Sequence, residues 1–207
     1  HSDNNGLVLP PNLAPIQVVM IPVFNNEQEY QNIISLFDKI GEKLKKLNIS
    51  FKIDDRKHHK PGWKFAEYEL KGIPLRIAMG PRDLENKTLE LARRDNLLKE
   101  TISINNALPR IQLVLDKIQK NIFTKAALFK TENTHSVDNY KDFKKIIKNK
   151  SGFIYAYWDG TAKTEEQIKK ETKATIRCVP YDNKGKSGKC MVTGKKSNQR
   201  VVFAKAY

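Results

Sequence analysis

The sequence predicts an α/β domain, a mixed and partly parallel sheet flanked by helices, followed by a small α+β domain. Two observations carry this. Between residues 16 and 122, β-rich apolar runs alternate with segments whose apolar residues recur at the helical period, a β-α-β-α-β order. Past residue 131 the elements shorten and lysines multiply. A length of 207 residues fits one large domain or two small ones.

Pro10, Pro11 and Pro15 impose an extended approach. Ile16 to Val23 then reads as a strand buried on both faces. Asn25 or Asn26 can cap a helix whose apolar positions are Tyr30, Ile33, Ile34, Phe37, Ile40, Leu44 and Leu47. Phe51 to Ile53 is a second strand. Trp63 to Leu70 is a short helix after Pro61-Gly62, stopped at Gly72. Leu75 to Met79 alternates as a third strand, and Thr88 to Arg93 forms a fourth. Ile111, Leu115, Ile118 and Ile122 define a helix preceded by Pro109.

In the second part, Tyr140, Phe143, Ile146 and Ile147 space as a helix, and Gly152 precedes the aromatic strand Phe153 to Trp158. Thr164 with Gln167 reads as a capping box for a helix through Lys170. Ala174 to Val179 and Arg200 to Ala204 read as strands, with Gly185, Gly188 and Gly194 in the loop between them.

With 39% hydrophobic residues the chain can bury a core, which excludes wholesale disorder. No apolar run approaches the roughly 20 residues of a bilayer span, and no secretory leader is evident. Two cysteines cannot build a disulfide framework, so a reducing, cytoplasmic setting with no membrane contact is expected. The chain starts at His1, and Asp3-Asn4-Asn5-Gly6 runs straight into Leu7-Val8-Leu9, so it reads as a fragment. The net charge is +15, an excess that suits a polyanionic partner. Residues 1–115 hold 17 basic and 14 acidic side chains, whereas 116–207 hold 21 and 9, so the excess belongs to the second part.

Catalytic signatures are scarce: the phosphate-binding loop, the dinucleotide fingerprint and the nucleophile elbow are all missing. His1, His58, His59 and His135 are not spaced with carboxylates or cysteines as a metal site needs, and His58-His59 reads as a solvated loop pair. Cys178 and Cys190 read as inert thiols. Asp54 to Arg94 is richer, because it sets functional groups at the C-terminal edges of predicted strands, where open α/β sheets bind ligands. Phe65 and Glu69 are four apart on one helix face. Arg76 points opposite to Leu75 and Ile77 in its strand, and Arg82-Asp83 follow the Gly80-Pro81 turn. An unpaired guanine suits this set: it can stack on Phe65, its O6 and N7 accept from arginine, and its N1–H and amino edge need a carboxylate. The competing reading is a surface ion pair between Arg76 and Glu69, with Phe65 in the core.

Six segments carry a resemblance. Asp54-Asp55-Arg56, Pro61-Gly62-Trp63-Lys64-Phe65-Ala66-Glu67-Tyr68-Glu69-Leu70-Lys71-Gly72-Ile73-Pro74-Leu75-Arg76 and Gly80-Pro81-Arg82-Asp83-Leu84 closely resemble the anticodon-binding domain of prolyl-tRNA synthetases, in the eukaryote-like and archaeal-like form with an extra C-terminal domain. His1-Ser2-Asp3 through Ala14-Pro15 resembles the exit from that family's class II catalytic core. Ala174 to Pro180 and Val201 to Tyr207 resemble its terminal domain.

The resemblance implies residues 1–15 as the end of the catalytic core, 16–130 as an anticodon-binding domain of the class II fold, and 131–207 as a C-terminal α+β domain. It implies that Phe65, Glu69, Arg76, Arg82, Asp83 and Lys99 contact the two guanines shared by proline anticodons. The 95–98 loop before Lys99 is one residue longer than the resemblance leads one to expect. Relatives that bind zinc place four cysteines at positions that fall here at Asp159, Thr164, Cys190 and Thr193, of which only Cys190 is a cysteine, so no metal is expected and Thr164 is left as a helix cap. The Tyr207 carboxylate is implied to dock near the active site of the full enzyme, a homodimer that uses ATP and magnesium to make prolyl-tRNA(Pro). The fragment itself would hold no cofactor and no catalytic residue. Two other readings stay open: a stand-alone RNA-binding module with a borrowed anticodon-binding fold, and a basic module binding nucleic acid without sequence preference.

Overall fold

The computed structural model describes residues 1–149, 152–181 and 187–205, in two units that divide between Thr124 and Lys125. Gly185 and Tyr207 lie outside the described residues.

The first unit opens with a small hairpin, β1 (Ser2–Asp3) and β2 (Gly6–Leu7). There follow β3 (Val18–Pro22), α1 (Glu27–Lys46), β4 (Phe51–Ile53), α2 (Pro61–Leu70) and β5 (Leu75–Met79). α3 (Pro81–Asn86), β6 (Thr88–Arg93), β7 (Lys99–Ser103) and α4 (Ala107–Glu132) complete the run. The sheet order is β4-β3-β5-β6-β7, with β3 parallel to β4 and β5 and the β5-β6-β7 part antiparallel. Asn26 caps α1, its side chain accepting from the Glu29 amide at 2.9 Å, while Glu27 and Glu29 in the first turn and Lys43, Lys45 and Lys46 in the last suit the helix dipole.

Strand alternation sorts the sheet into two faces. Val18, Met20, Leu75, Ile77, Met79, Leu89 and Leu91 pack against Ile33, Phe37, Ile40 and Leu44 of α1 and against Ile111, Val114, Leu115, Ile118 and Ile122 of α4. Each such side chain contributes about 1.5–3 kcal/mol by leaving water. On the other face α2 lays Tyr68 and the partly buried Phe65 over Val19, Ile21 and Ile73. That cover does not extend to the edge: along β7 the residues of this face, Lys99, Thr101 and Ser103, are exposed.

The second unit contains β8 (Thr134–Ser136), α5 (Tyr140–Asn149), β9 (Phe153–Trp158), α6 (Ala162–Thr172), β10 (Ala174–Cys178), the short pair β11 (Gly188–Lys189) and β12 (Lys196–Ser197), and β13 (Gln199–Lys205). Its sheet order is β10-β13-β9-β8, antiparallel except for the β8–β9 pair. Phe143 of α5 meets Phe203 of β13 edge-on at 5.2 Å, at the centre of a core with Ile154, Ala156, Ile168 and Val201. Gly152 is required where it stands: at φ +134° a Cβ would fall 2.1 Å from the Asn133 carbonyl oxygen.

Several expectations need correction. Thr164 is not the cap of α6; Thr161 is, with its hydroxyl accepting from the Thr164 amide at 3.3 Å. α4 starts before Pro109, which sits in its first turn where a missing amide costs nothing, and it runs on to Glu132. The Gly80-Pro81 turn is the start of α3, and β7, β8 and the β11–β12 pair are additional strands. β5 is buried along its whole length, so Arg76 does not face solvent.

The C-terminal end of β4 meets the first turn of α2 at a buried ion cluster. Asp54 is fully buried, and its carboxylate accepts from Arg56 Nε at 2.9 Å and Nη2 at 2.7 Å. Lys64 Nζ, also buried, lies 3.5 Å from the same carboxylate and donates to the Asp54 carbonyl at 3.0 Å. Burial pushes the Asp54 carboxyl up, but the Arg56 hydrogen bonds and the Lys64 charge outweigh it and hold the group well below the usual carboxylate range. An Asp54→Asn variant, which strands Lys64, is expected to lose about 3–5 kcal/mol in urea denaturation at neutral pH. Because the folded-state value is depressed, the Asp54 contribution is complete above about pH 4 and fades as the pH falls below it, so the variant should show the flatter acid dependence.

Candidate nucleic-acid interface

The face of β5, β6 and β7 that carries Arg76, buried at β5 and opening toward β7, reads directly off the register. Arg76, Ala92 and Lys99 form one cross-strand row, Ala78, Glu90 and Thr101 the next, and Thr88 with Ser103 a third. α2 borders the first row and α3 the last.

At the α2 end, the Arg76 guanidinium lies 3.7 Å from the Phe65 ring centroid in a cation–π contact. Its Nη2 pairs with Glu90 Oε1 at 3.2 Å, and Lys99 Nζ reaches Glu90 Oε2 at 3.9 Å, so one carboxylate sits between two cations. Arg76 is buried to 95% in complement to its 5% exposure, yet its Nε and Nη1 find no acceptor among the described residues. Burial pulls the guanidinium below its ordinary value, and the Glu90 and Glu69 charges oppose that. It stays a cation, because arginine does not deprotonate in proteins. Glu69 lines the same small recess as Arg76, with Tyr68, Ile73, Ala92, Arg93 and Arg94.

The turn that carries Glu69 is fastened from behind. Arg94, buried, donates from Nε to the Glu69 carbonyl at 2.8 Å and from both Nη atoms to Asp3 at 2.6 and 2.7 Å. The β1–β2 hairpin packs so closely on the end of α2 that a Cβ on Gly72, at φ +72°, would fall 2.7 Å from Leu7.

The structure thus brings Phe65, Glu69 and Glu90 to Arg76, with Lys99 on the other side of Glu90. It does not bring Arg82 and Asp83 to them. α3 sits beside the Thr88 row, four residues or roughly 13 Å along β6 from Ala92. Asp83 accepts from the Gly80 amide at 2.9 Å and from the Thr88 hydroxyl at 3.2 Å, so it caps α3 and pins it to β6. Arg82 is exposed, with no acceptor among the described residues. The competing reading, a surface pair between Arg76 and Glu69, is not what forms: the buried Arg76 pairs with the partly exposed Glu90. Glu90 is the residue that sequence reasoning passed over; the alternation Thr88, Glu90, Ala92 against Leu89 and Leu91 already set it on the Arg76 side.

In the second unit, two of the four positions expected from zinc-binding relatives, Thr164 and Thr193, converge on the carboxylate of a third, Asp159. Thr164 and Thr193 donate to Asp159 Oδ2 at 2.9 and 3.0 Å, and the Thr161 hydroxyl donates to Oδ1 at 2.9 Å. Cys190 is buried on the turn that carries Thr193, with its carbonyl accepting from the Gly194 amide at 2.9 Å. Burial raises the Asp159 carboxyl, but the threonine hydrogen bonds prevail and keep it below the usual range. Two hydroxyls, a hydrogen-bonded carboxylate and one thiol do not fit tetrahedral zinc. Among the described residues, no group of three or more His, Cys, Asp or Glu side chains could hold a metal ion.

Comparison with known proteins bears on both units. Residues 17–113 match the family described as anticodon binding domain, and residues 140–207 match the family described as prolyl-tRNA synthetase, C-terminal. Over all 207 residues the chain is 56% identical to a proline–tRNA ligase of Porphyromonas gingivalis, 52% to one of Flavobacterium johnsoniae and 51% to one of Christiangramia forsetii.

The chain belongs to the prolyl-tRNA synthetase family. It spans 42% of the length of each of these three ligases, and it comprises the family's anticodon-binding and C-terminal domains. All three relatives are bacterial, so they lend nothing to the eukaryote-like or archaeal-like assignment. No helix among the described residues is long and apolar enough to cross a membrane.

Glu90→Gln leaves the buried Arg76 guanidinium without its counter-charge. The variant is expected to lose about 1–3 kcal/mol of stability in urea denaturation, whereas the exposed Lys99→Ala should change it by less than about 0.5 kcal/mol.

Proposed function

We propose that these residues form the tRNA-selecting part of a proline–tRNA ligase, and that the open β5–β7 face reads the two guanines shared by proline anticodons. One observation carries the reading: a buried arginine with two donors lacking acceptors, stacked on Phe65 and next to the Glu69 carboxylate. Phe65 would share its ring with a splayed-out base, Arg76 would donate to the O6 and N7 edge, and Glu69 would accept from N1–H and the amino group. Lys99, on the same row, would add a donor or meet a phosphate. Arg82, at the other end of the face, would meet the second guanine, with Asp83 acting through the placement of α3.

The whole enzyme would join proline to tRNA(Pro) through an adenylate, with ATP and magnesium, as a cytoplasmic homodimer. These residues would supply recognition rather than catalysis, with 16–130 reading bases and 131–207 contributing the bulk of the positive charge. The appended C-terminal domain is the support for an architecture of the eukaryote-like type. The second unit would be a zinc-less form in which the Asp159–Thr164–Thr193 hydrogen bonds hold together what a metal holds elsewhere.

Glu69→Ala is expected to weaken binding of proline tRNA roughly tenfold, and Arg82→Ala by a similar factor, with little change for a tRNA whose two anticodon guanines are replaced. Equal binding of native and guanine-replaced tRNA by the wild-type chain would sink the base-reading proposal. Elemental analysis of the untagged protein should find far less than one zinc per chain; stoichiometric zinc would refute the zinc-less reading.

A further inference from the structure

Beyond the open face, the β6–β7 hairpin and α4 enclose a groove of about 250 Å³, lined by Arg93, Leu98, Lys99, Glu100, Arg110, Val114 and Lys117. We propose that this groove holds the sugar–phosphate backbone of an RNA strand whose bases lie on the β5–β7 face. The proposal rests on the base-reading function above and adds a path for the strand.

The groove is built rigidly. Arg110, Val114, Lys117 and Asn121 fall at i, i+4, i+7 and i+11 on α4, one stripe facing the hairpin. At one end Arg110 grips Glu100 of β7, with Nε 3.0 Å from both carboxylate oxygens and Nη2 at 2.6 Å. At the other end Asp95, in the hairpin loop, accepts from Arg93 at 2.9 and 2.7 Å and from the Asn121 amide. Those two clamps fix the width between them.

The charge left over after these pairings points to an anion. Arg110 and Arg93 are matched to Glu100 and Asp95. Lys117 is exposed and has no carboxylate within ion-pair distance among the described residues, and Lys99 reaches only Glu90, at 3.9 Å, with its side chain 57% exposed. Lys117, with no carboxylate partner among the described residues, and Lys99, held only by its 3.9 Å approach to Glu90, therefore flank Leu98 and Val114, apolar enough to lie under a ribose. Ammonium groups suit phosphates, which need charge more than bidentate geometry. Lys99 belongs to both regions: it starts the edge strand, stands in the Arg76 row and lines the groove. A strand leaving the open face across this edge passes Lys99 and enters the groove without a gap.

Backbone contacts position without reading sequence, so the groove and the face must separate in experiment. Binding of proline tRNA and of the guanine-replaced tRNA should be measured over a salt series for the wild-type chain, Lys117→Gln and Glu69→Ala. Lys117 is exposed, and circular dichroism should confirm that its variant folds. Lys117→Gln is expected to weaken both tRNAs by the same factor, about fivefold near 0.1 M salt, and to reduce the slope of log K against log salt by about 0.7–1. Unchanged affinity and slope, or an effect confined to one tRNA, would overturn the groove. If Glu69→Ala loses discrimination while Lys117→Gln does nothing, the groove fails and the base site stands. If the wild type does not discriminate but Lys117→Gln still lowers the slope, the base site fails and the groove stands.

Discussion

Asp54, at the C-terminal end of β4, is buried together with Lys64 in the first turn of α2, and Arg56 closes the pair. This contact sets the rotation of the helix. Lys64 directly precedes Phe65, and Glu69 follows Phe65 by about one turn, so the side of α2 that meets β4 determines which side meets β5. Rotation by a single residue, about 100°, would carry Phe65 off the Arg76 guanidinium. A buried ion pair adds little net stability against well-packed apolar residues, but here it removes alternative seatings of the helix. Arg94 does the same at the far end, by gripping the Glu69 carbonyl.

Charge and the proposed base reading fall in different parts of the chain. Of the +15 net charge, only +3 falls within residues 1–115, which hold the open face. On that face Glu69 and Glu90 sit among Arg76 and Lys99, so the local field is nearly balanced and geometry decides what binds. The lysine-rich second unit, by contrast, presents a diffuse field. Under the proposed function, such a division would let long-range attraction gather any tRNA while a few desolvated contacts choose among them.

The alternation of strands and helices was legible in the first unit because Ile33, Phe37 and Leu44, or Val18 and Met20, follow their periods closely. What the sequence hid has physical causes. β7 is an edge strand with one open face, so Lys99, Thr101 and Ser103 dilute its apolar signal to Ile102 alone. α3 spans only six residues and is led by Pro81, which reads equally well as a turn. Thr164 resembled a cap because a neighbouring threonine, Thr161, holds that position three residues earlier. Phe65 and Glu69 lie beside Arg76, as spacing and resemblance grouped them, but the Arg76–Glu90 pair depends on the β5–β6 register, which no local pattern encodes. Arg82 and Asp83 are near in sequence to Arg76 and distant on the sheet for the same reason.

Glu90 has a consequence for how such a face can work. Its carboxylate holds one terminal nitrogen of Arg76 and lies near Lys99, while Arg76 Nε and Nη1 have no acceptor among the described residues, so under the proposed function an arriving base would meet an arginine already oriented and partly neutralised by a resident carboxylate. Recognition would then use the two remaining donors in an orientation that Glu90 fixes beforehand. A base that could not reach those two donors from that fixed orientation would gain nothing from the arginine, so the resident carboxylate would act as a jig that sets which shapes fit.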